Sequence, residues 1–347
     1  MAPSMAERDA VIAGFLARHG WDAAERRPLA GDASFRRYDR LSRGSDRAVL
    51  MDAPPPHEDV RPFVRIAELL SGFGYSAPGI LAEDPDAGLL LLEDLGDDTY
   101  TRVLARGSHA GGDEDALYAL AVDLLIDLHR RPAAETVPAG LPPYDEDKLL
   151  TEVLLLTDWY MPAVLGRPTP PETRQRYIDA WRRAFGPVLA SAATLVMRDY
   201  HVDNLIWRPD RDGIRACGLL DFQDAVAGHA AYDLMSLLED ARRDIRPALA
   251  DAMTARYLAA FPGLDEAAFR RDFAILAAGR HAKVIGIFTR LCRRDAKPDY
   301  LVHISRLWHL LERALAHPAL APVAEWMAAE LPPETRVVPA AATNEKD

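Results

Sequence analysis

The sequence predicts an α+β fold in two lobes, a small antiparallel-sheet lobe over residues 1–95 and a larger helical lobe over residues 96–331. Three observations predict it. Short apolar runs separated by turn residues dominate up to Leu95. Helical periodicity dominates beyond it. Two or three strands interrupt the helices around residues 194 to 222.

Each element has its own warrant. Residues 8–19 carry apolar positions at helical spacing. Gly31–Leu41 reads as a Gly-containing turn running into a strand, and Ala48–Met51 as a second strand stopped by Pro54-Pro55-Pro56. Between Asp59 and Ser71, the positions Val60, Phe63, Val64, Ala67 and Leu70 follow helical spacing. Ile80–Ala82 and Leu89–Leu92 are two more strands, separated by the turn residues Asp84-Pro85-Asp86. Glu93-Asp94-Leu95-Gly96 is the expected hinge. Residues 115–130, 145–160 and 172–190 read as helices, the last ending near Pro187, and further helices fill 229–316. The chain is Pro/Ala-rich and polar from Leu331, so residues 332–347 are expected to be a disordered tail.

A length of 347 residues suits two domains or one domain with two lobes, and 49% apolar residues suffice for a large core. The net charge of −12 argues against a general nucleic-acid binder or a polybasic membrane contact. Cys217 and Cys292 belong to no CxxC pair or His-rich cluster, so no zinc site is expected. Met1-Ala2-Pro3-Ser4 opens no secretory pattern, and the longest apolar runs are too short to span a bilayer. A cytoplasmic, reduced, monomeric protein is the expectation.

The most informative stretch is Met197-Arg198-Asp199-Tyr200-His201-Val202-Asp203-Asn204. A strand follows Asn204, then the turn Pro209-Asp210-Arg211-Asp212-Gly213, then a strand from Ile214 to Leu220 that ends at Asp221. Antiparallel pairing sets the start of one strand beside the end of the other, with facing positions roughly 5 Å apart. An amide oxygen and a carboxylate therefore meet, which suits Mg²⁺, a cation that takes one or two carboxylates plus substrate phosphates. Asp199 is left to accept a proton from an attacking hydroxyl. This spacing matches the kinase catalytic loop, with Asp199 as base and with Asn204 and Asp221 as metal ligands.

Asp221 is followed by Gly228 and then Asp233-Leu234. The pattern resembles the aminoglycoside phosphotransferase and choline kinase superfamily, which implies a two-lobed protein-kinase-like fold and a structural Asp233 that braces the catalytic loop. Gly31–Tyr38, Met51–Pro55, Arg198–His201 and Asp221–Ala225 resemble, within it, the anomeric N-acetylmuramate/N-acetylglucosamine kinases of bacterial cell-wall recycling. That likeness implies ATP, Mg²⁺, a small amino-sugar substrate and transfer of the γ-phosphoryl group to the sugar's 1-hydroxyl. It also implies that Ser34, Phe35, Arg36 and Arg37 cover the nucleotide, that adenine meets the hinge near Glu93 and Leu95, and that Gln223 and Asp224 belong to the acceptor site.

One departure is conspicuous. Kinases place a Lys on the third strand, but no Lys precedes Lys148. Either the protein is a pseudokinase or an arginine takes over, with Arg36, Arg37, Arg40, Arg47 and Arg65 as candidates. Arg36 and Arg37 come first, and adjacent strand residues face opposite ways. The usual helix Glu partner has only Glu68 as a candidate. For the acceptor, Arg280, Lys283, Arg290 and Arg294 share one helical arc, a basic stripe suited to an anionic sugar, and His201 lies beside Asp199. Two other readings stand next to the amino-sugar kinase: a kinase for an aminoglycoside or choline-like alcohol, and a nucleotide-binding pseudokinase.

Overall fold

The computed structural model describes residues 5–29, 35–107 and 113–341. The chain divides into two compact units, Met1–Leu124 with Val202–Ala225, and Leu125–His201 with Val226–Asp347. The division falls inside helix α4 (Glu114–Arg130) and between the consecutive residues His201 and Val202.

The first unit is built on a five-stranded antiparallel sheet, ordered β1-β2-β3-β5-β4. Its strands are β1 (Glu25–Pro28), β2 (Arg37–Arg43), β3 (Asp46–Asp52), β4 (Ile80–Asp84) and β5 (Leu89–Glu93). Alternation along the strands sorts the side chains. Leu41, Ala48, Leu50, Leu89 and Leu91 pack against Ile12, Phe15 and Leu16 of helix α1 (Met5–Arg18). Leu90 and Leu92 belong to the other face and are buried too, which is why Leu89–Leu92 reads as an unbroken apolar run. β1 escapes sequence reading for a physical reason: all four residues are exposed, so no alternation marks it, and it pairs only with β2. Helix α2 (Arg61–Gly72) buries Phe63, Ile66, Ala67 and Leu70 and leaves Glu68 and Arg65 exposed. The expected Glu partner therefore faces solvent. The unit is completed by α3 (Tyr100–Ala105) and by the hairpin β7 (Leu205–Trp207) and β8 (Cys217–Leu219).

In the second unit α5 (Ala133–Thr136), α6 (Glu146–Leu155), α7 (Met161–Leu165) and α8 (Pro171–Leu189) precede β6 (Ala193–Val196), which pairs with β9 (Val226–His229). The expected helix over 145–160 has its last five residues, Leu156–Tyr160, in a π turn. α8 runs through Pro187 and ends two residues later at Leu189, within the expected range. α9 (Ala231–Leu238), α10 (Pro247–Ala259), α11 (Glu266–Asp295), α12 (Ile304–Leu315) and α13 (Ala321–Glu330) follow. α11 is the 30-residue spine, and a Cβ at its Gly286 would collide with the backbone of Leu155. That close approach brings α11 side chains onto α6.

The expected tail disorder fails for residues 332–341. Pro333–Thr335 form a 3₁₀ turn, the Tyr160 hydroxyl donates to the carbonyls of Thr335 and Val337, and Arg336 pairs with Glu312. The rest of that expectation, residues 342–347, lies outside the described residues. Cys217 and Cys292 are both buried. Among the described residues no helix is long and apolar enough to cross a membrane.

Candidate active site

In the first unit the hairpin sets Asn204 beside Asp221, although its second strand is shorter than expected: Gly213–Ala216 form a 3₁₀ turn and only Cys217–Leu219 are strand. Leu205 faces Leu219, and the Leu220 N–H donates to the Asn204 carbonyl at 2.9 Å. The Asn204 and Asp221 side chains meet, with Asn204 Nδ2 3.3 Å from Asp221 Oδ2. Asp221 adopts φ 57°, a left-handed conformation that costs a non-glycine residue about 1–3 kcal/mol. The neighbouring Phe222 offsets this: it is fully buried and stacks on Phe63 with centroids 4.9 Å apart. One buried ring and one backbone bond thus hold a carboxylate whose side chain remains 29% exposed.

Nitrogen donors surround that carboxylate. Gln223 Nε2 donates to Asp221 Oδ1 at 2.7 Å, and Arg36 Nη2 lies 3.8 Å from the same oxygen. Burial works against the Arg36 charge, but Tyr38, Asp221, Glu58 and Asp224 outweigh it and raise the pKa. Gln223 Oε1 is buried and has no hydrogen-bond partner among the described residues. The donor set fits Mg²⁺: two adjacent side chains able to offer oxygen, one carboxylate partly open, and an orphaned amide oxygen beside it. Among the described residues no group of three His, Cys, Asp or Glu side chains could hold a metal ion. The remaining ligands would be phosphate and water oxygens. Asp203, next to Asn204, accepts a hydrogen bond from the Thr101 hydroxyl of α3, and the Thr101 N–H donates to the Val202 carbonyl at 3.3 Å.

Arg36, which lies just before β2, and Arg37, its first residue, part company. Arg37 Nη2 pairs with Asp52 at 2.6 Å, and Asp52 is also held by Arg8 from α1. Arg37 therefore belongs to the helix-covered side of the sheet. Arg40 is engaged by Asp94 and Asp97, and Arg47 by the carbonyls of Gly44 and Asp46. Of the arginines weighed for the missing lysine, Arg36 is the one beside Asp221. Phe35 is 67% exposed and stacks on His57, while its N–H donates to Glu58. Ser34 lies outside the described residues. Leu95 is buried, and the Glu93 carboxylate faces Arg208 and Arg211. Asp224 is exposed.

In the second unit Asp199 follows Arg198, which has φ 70°. Elements far along the chain fix that strained residue at its backbone N–H, its carbonyl and its guanidinium. Asp233 of α9 accepts from the N–H groups of Met197 and Arg198 at 2.7 and 2.9 Å. The Arg198 carbonyl accepts from Arg280 Nη1 at 3.0 Å and from the Ser236 hydroxyl at 3.3 Å. The Arg198 guanidinium pairs with Glu152 of α6 and lies over the Tyr144 ring. Asp233, expected to brace the loop, does so with both carboxylate oxygens. Burial pushes its carboxyl up to about 7, against the pull of its two N–H donors.

Asp199 itself is 3.6 Å from Arg280 Nη2. Burial would raise its pKa, but Arg280, Lys283, His201 and Arg198 prevail and hold it at about 2. Burial lowers the pKa of His201, more than the nearby Asp240 and Asp199 raise it. The expected basic stripe does not stay together. Arg280 and Lys283 are buried, whereas Arg294 is exposed and paired with Asp295, because α11 leaves the core toward its C-terminus. Lys283 Nζ lies 3.0 Å from Glu152. Glu152 and Tyr144 were not legible as site residues. Glu152 nevertheless lies on the apolar face of α6, three residues after the buried Leu149, and a carboxylate there is a signal.

The model of the phosphotransferase enzyme family matches residues 25–270. This chain belongs to the phosphotransferase enzyme family. An N-acetylmuramate/N-acetylglucosamine kinase from Caulobacter vibrioides is 39% identical to this phosphotransferase, over 95% of this chain and 98% of its own. Another of that name, from Pseudomonas aeruginosa, is 39% identical over 92% and 94%. Among solved structures, the gentamicin complex of APH(2'')-IIa superposes with a TM-score of 0.58 at 17% identity, covering 90% of this chain and 97% of that one. Choline kinase from Cryptosporidium parvum gives 0.57 at 12% identity, covering 92% and 99%. The phosphotransferase thus has the two-lobed, protein-kinase-like fold.

Proposed function

We propose that this phosphotransferase is an ATP-dependent kinase that phosphorylates the anomeric hydroxyl of N-acetylmuramate and N-acetylglucosamine in peptidoglycan recycling. The observation that carries the acceptor is the nearly full-length match to kinases of that name in Caulobacter vibrioides and Pseudomonas aeruginosa. In this reading Asp199 accepts the proton as the sugar oxygen bonds to the γ-phosphorus and ADP leaves. The cations around Asp199 keep it ionised and aimed. Asn204 and Asp221 would hold Mg²⁺, which when bound neutralises phosphate charge. Gln223 holds the Asp221 carboxylate in place, and Arg36 grips the phosphates in place of the absent lysine. A guanidinium does this by a two-pronged contact.

The charge around Asp199 supports an uncharged or anionic acceptor. A polycationic aminoglycoside would meet Arg280, Lys283 and Arg198, where carboxylates would be needed. The test is a panel of sugars and amino alcohols with ATP and Mg²⁺, read by ADP release. The two amino sugars should be turned over and kanamycin and choline should not. Turnover of kanamycin or choline alone would overturn the acceptor assignment.

A further inference from the structure

Three cations, Arg198, Arg280 and Lys283, act on the Asp199 carboxylate from within one unit, and their side chains are at most 14% exposed. Two of them share one counter-ion. Glu152 accepts from the Arg198 guanidinium, from the Lys283 ammonium and from the Tyr144 hydroxyl. Its own side chain is 12% exposed. Lys283 and Arg198 prevail over burial and hold the Glu152 carboxyl below its ordinary range. Aromatic rings wall in the cluster: Arg198 lies over Tyr144, Arg280 over Tyr232, and those two rings meet edge to face at 5.2 Å.

The inference rests on the acceptor proposed above. N-acetylmuramate carries a carboxylate on its lactyl group, and N-acetylglucosamine has no charge. A site that processes both cannot present bare buried cations, because with the neutral sugar bound they would be left uncompensated. Nor can it lose its cations, because Asp199 and the lactyl carboxylate would then repel each other unopposed. We propose that Glu152 is a specificity-determining residue that acts through Arg198 and Lys283, masking their charge so that the neutral and the anionic sugar are both accepted. Arg198 carries a further sign of this duty. Its φ of 70° would suit glycine, yet its side chain is buried and engaged at Glu152.

The experiment compares kcat/KM for the two sugars in the wild type, Glu152→Gln, Glu152→Asp and Lys283→Gln, with ATP and Mg²⁺ in excess. Glu152→Gln keeps the shape and removes the charge. It should raise the ratio of N-acetylmuramate to N-acetylglucosamine about tenfold, the effect of one unit charge acting over roughly 12 Å at an effective dielectric of about 20. The gain should lie in the KM for N-acetylmuramate. Lys283→Gln removes a cation and should move the ratio the other way, which keeps the test decisive if Glu152→Gln fails to fold. Glu152→Asp should stay near the wild-type ratio. Loss of both sugars in parallel, with the ratio unchanged in Glu152→Gln and Lys283→Gln, is what a merely structural Glu152 would give and overturns the inference. A wild type that turns over neither sugar overturns the acceptor assignment itself, and the inference with it.

Discussion

The Asp221 cluster of the first unit and the Asp199 cluster of the second are built on opposite plans. Around Asp221, in the first unit, a partly exposed carboxylate faces amide and guanidinium donors, with a buried amide oxygen left unpartnered. Around Asp199, in the second unit, buried charges are already matched against one another. The first half has bonding capacity to spare for phosphate and a cation. The second is preorganised, so a base at Asp199 would need no rearrangement at the moment of reaction. Both rely on a left-handed non-glycine residue, Asp221 in one and Arg198 in the other. In each case the strain is held by long-range contacts, not by the local sequence.

Substitutions that strike one half and spare the other sharpen this contrast. The largest effect belongs to Asp199→Asn, which should cut turnover by about 10² to 10⁴, the usual cost of a lost general base. Nucleotide affinity should hardly move if, as proposed, the nucleotide is held around Asp221. Near-normal turnover would remove Asp199 from the base role. Asp221→Ala should reverse the pattern. Mg²⁺-dependent ATP affinity, read by calorimetry, should fall by about a hundredfold, no less than a lost outer-shell partner costs a metal site. An unchanged affinity would take Asp221 out of the cation site.

Arg36→Ala comes next. Loss of a charge-assisted contact worth about 1.5–3 kcal/mol should raise the KM for ATP about 10- to 100-fold, with incomplete rescue by Lys. Arg37→Ala should change the ATP kinetics by less than about threefold. Arg37 serves the partly exposed pair with Asp52, worth about 1 kcal/mol at most, and Arg8 still holds that carboxylate. Equal losses in the two arginine variants would break the division of the sheet into two faces. On acidification, Asp199 should stay ionised until pH approaches about 2. Its folded pKa lies below the ordinary carboxylate value, so any stability it adds is present above pH ~4 and fades as pH falls toward 2. A fall in kcat/KM between pH 7 and 5 that Asp199→Asn abolishes would contradict this.

The sequence made the chemistry of each half legible and left the support around it obscure. Asp199, Asn204 and Asp221 could be read because spacing and a short hairpin are local properties. The different partners of Arg36 and Arg37 were expected from strand alternation, although β2 begins only at Arg37. Glu152 could not be assigned, because its partners Arg198 and Lys283 come from residues 46 and 131 positions further along the chain, numbering from Glu152. The basic stripe was misjudged for a related reason: a helical wheel gives angle but not depth. One arc of α11 is core at Arg280 and surface at Arg294. β1 was invisible because an exposed edge strand needs no apolar pattern.

The most direct test of the account is where the phosphate goes. Phosphorus NMR of N-acetylmuramate treated with the wild-type protein, ATP and Mg²⁺ should show a sugar phosphate resonance coupled to the anomeric proton. Its growth should match the release of ADP. A phosphate coupled instead to the C6 protons, or ADP release with no sugar phosphate at all, would contradict the proposal that this chain phosphorylates the anomeric hydroxyl.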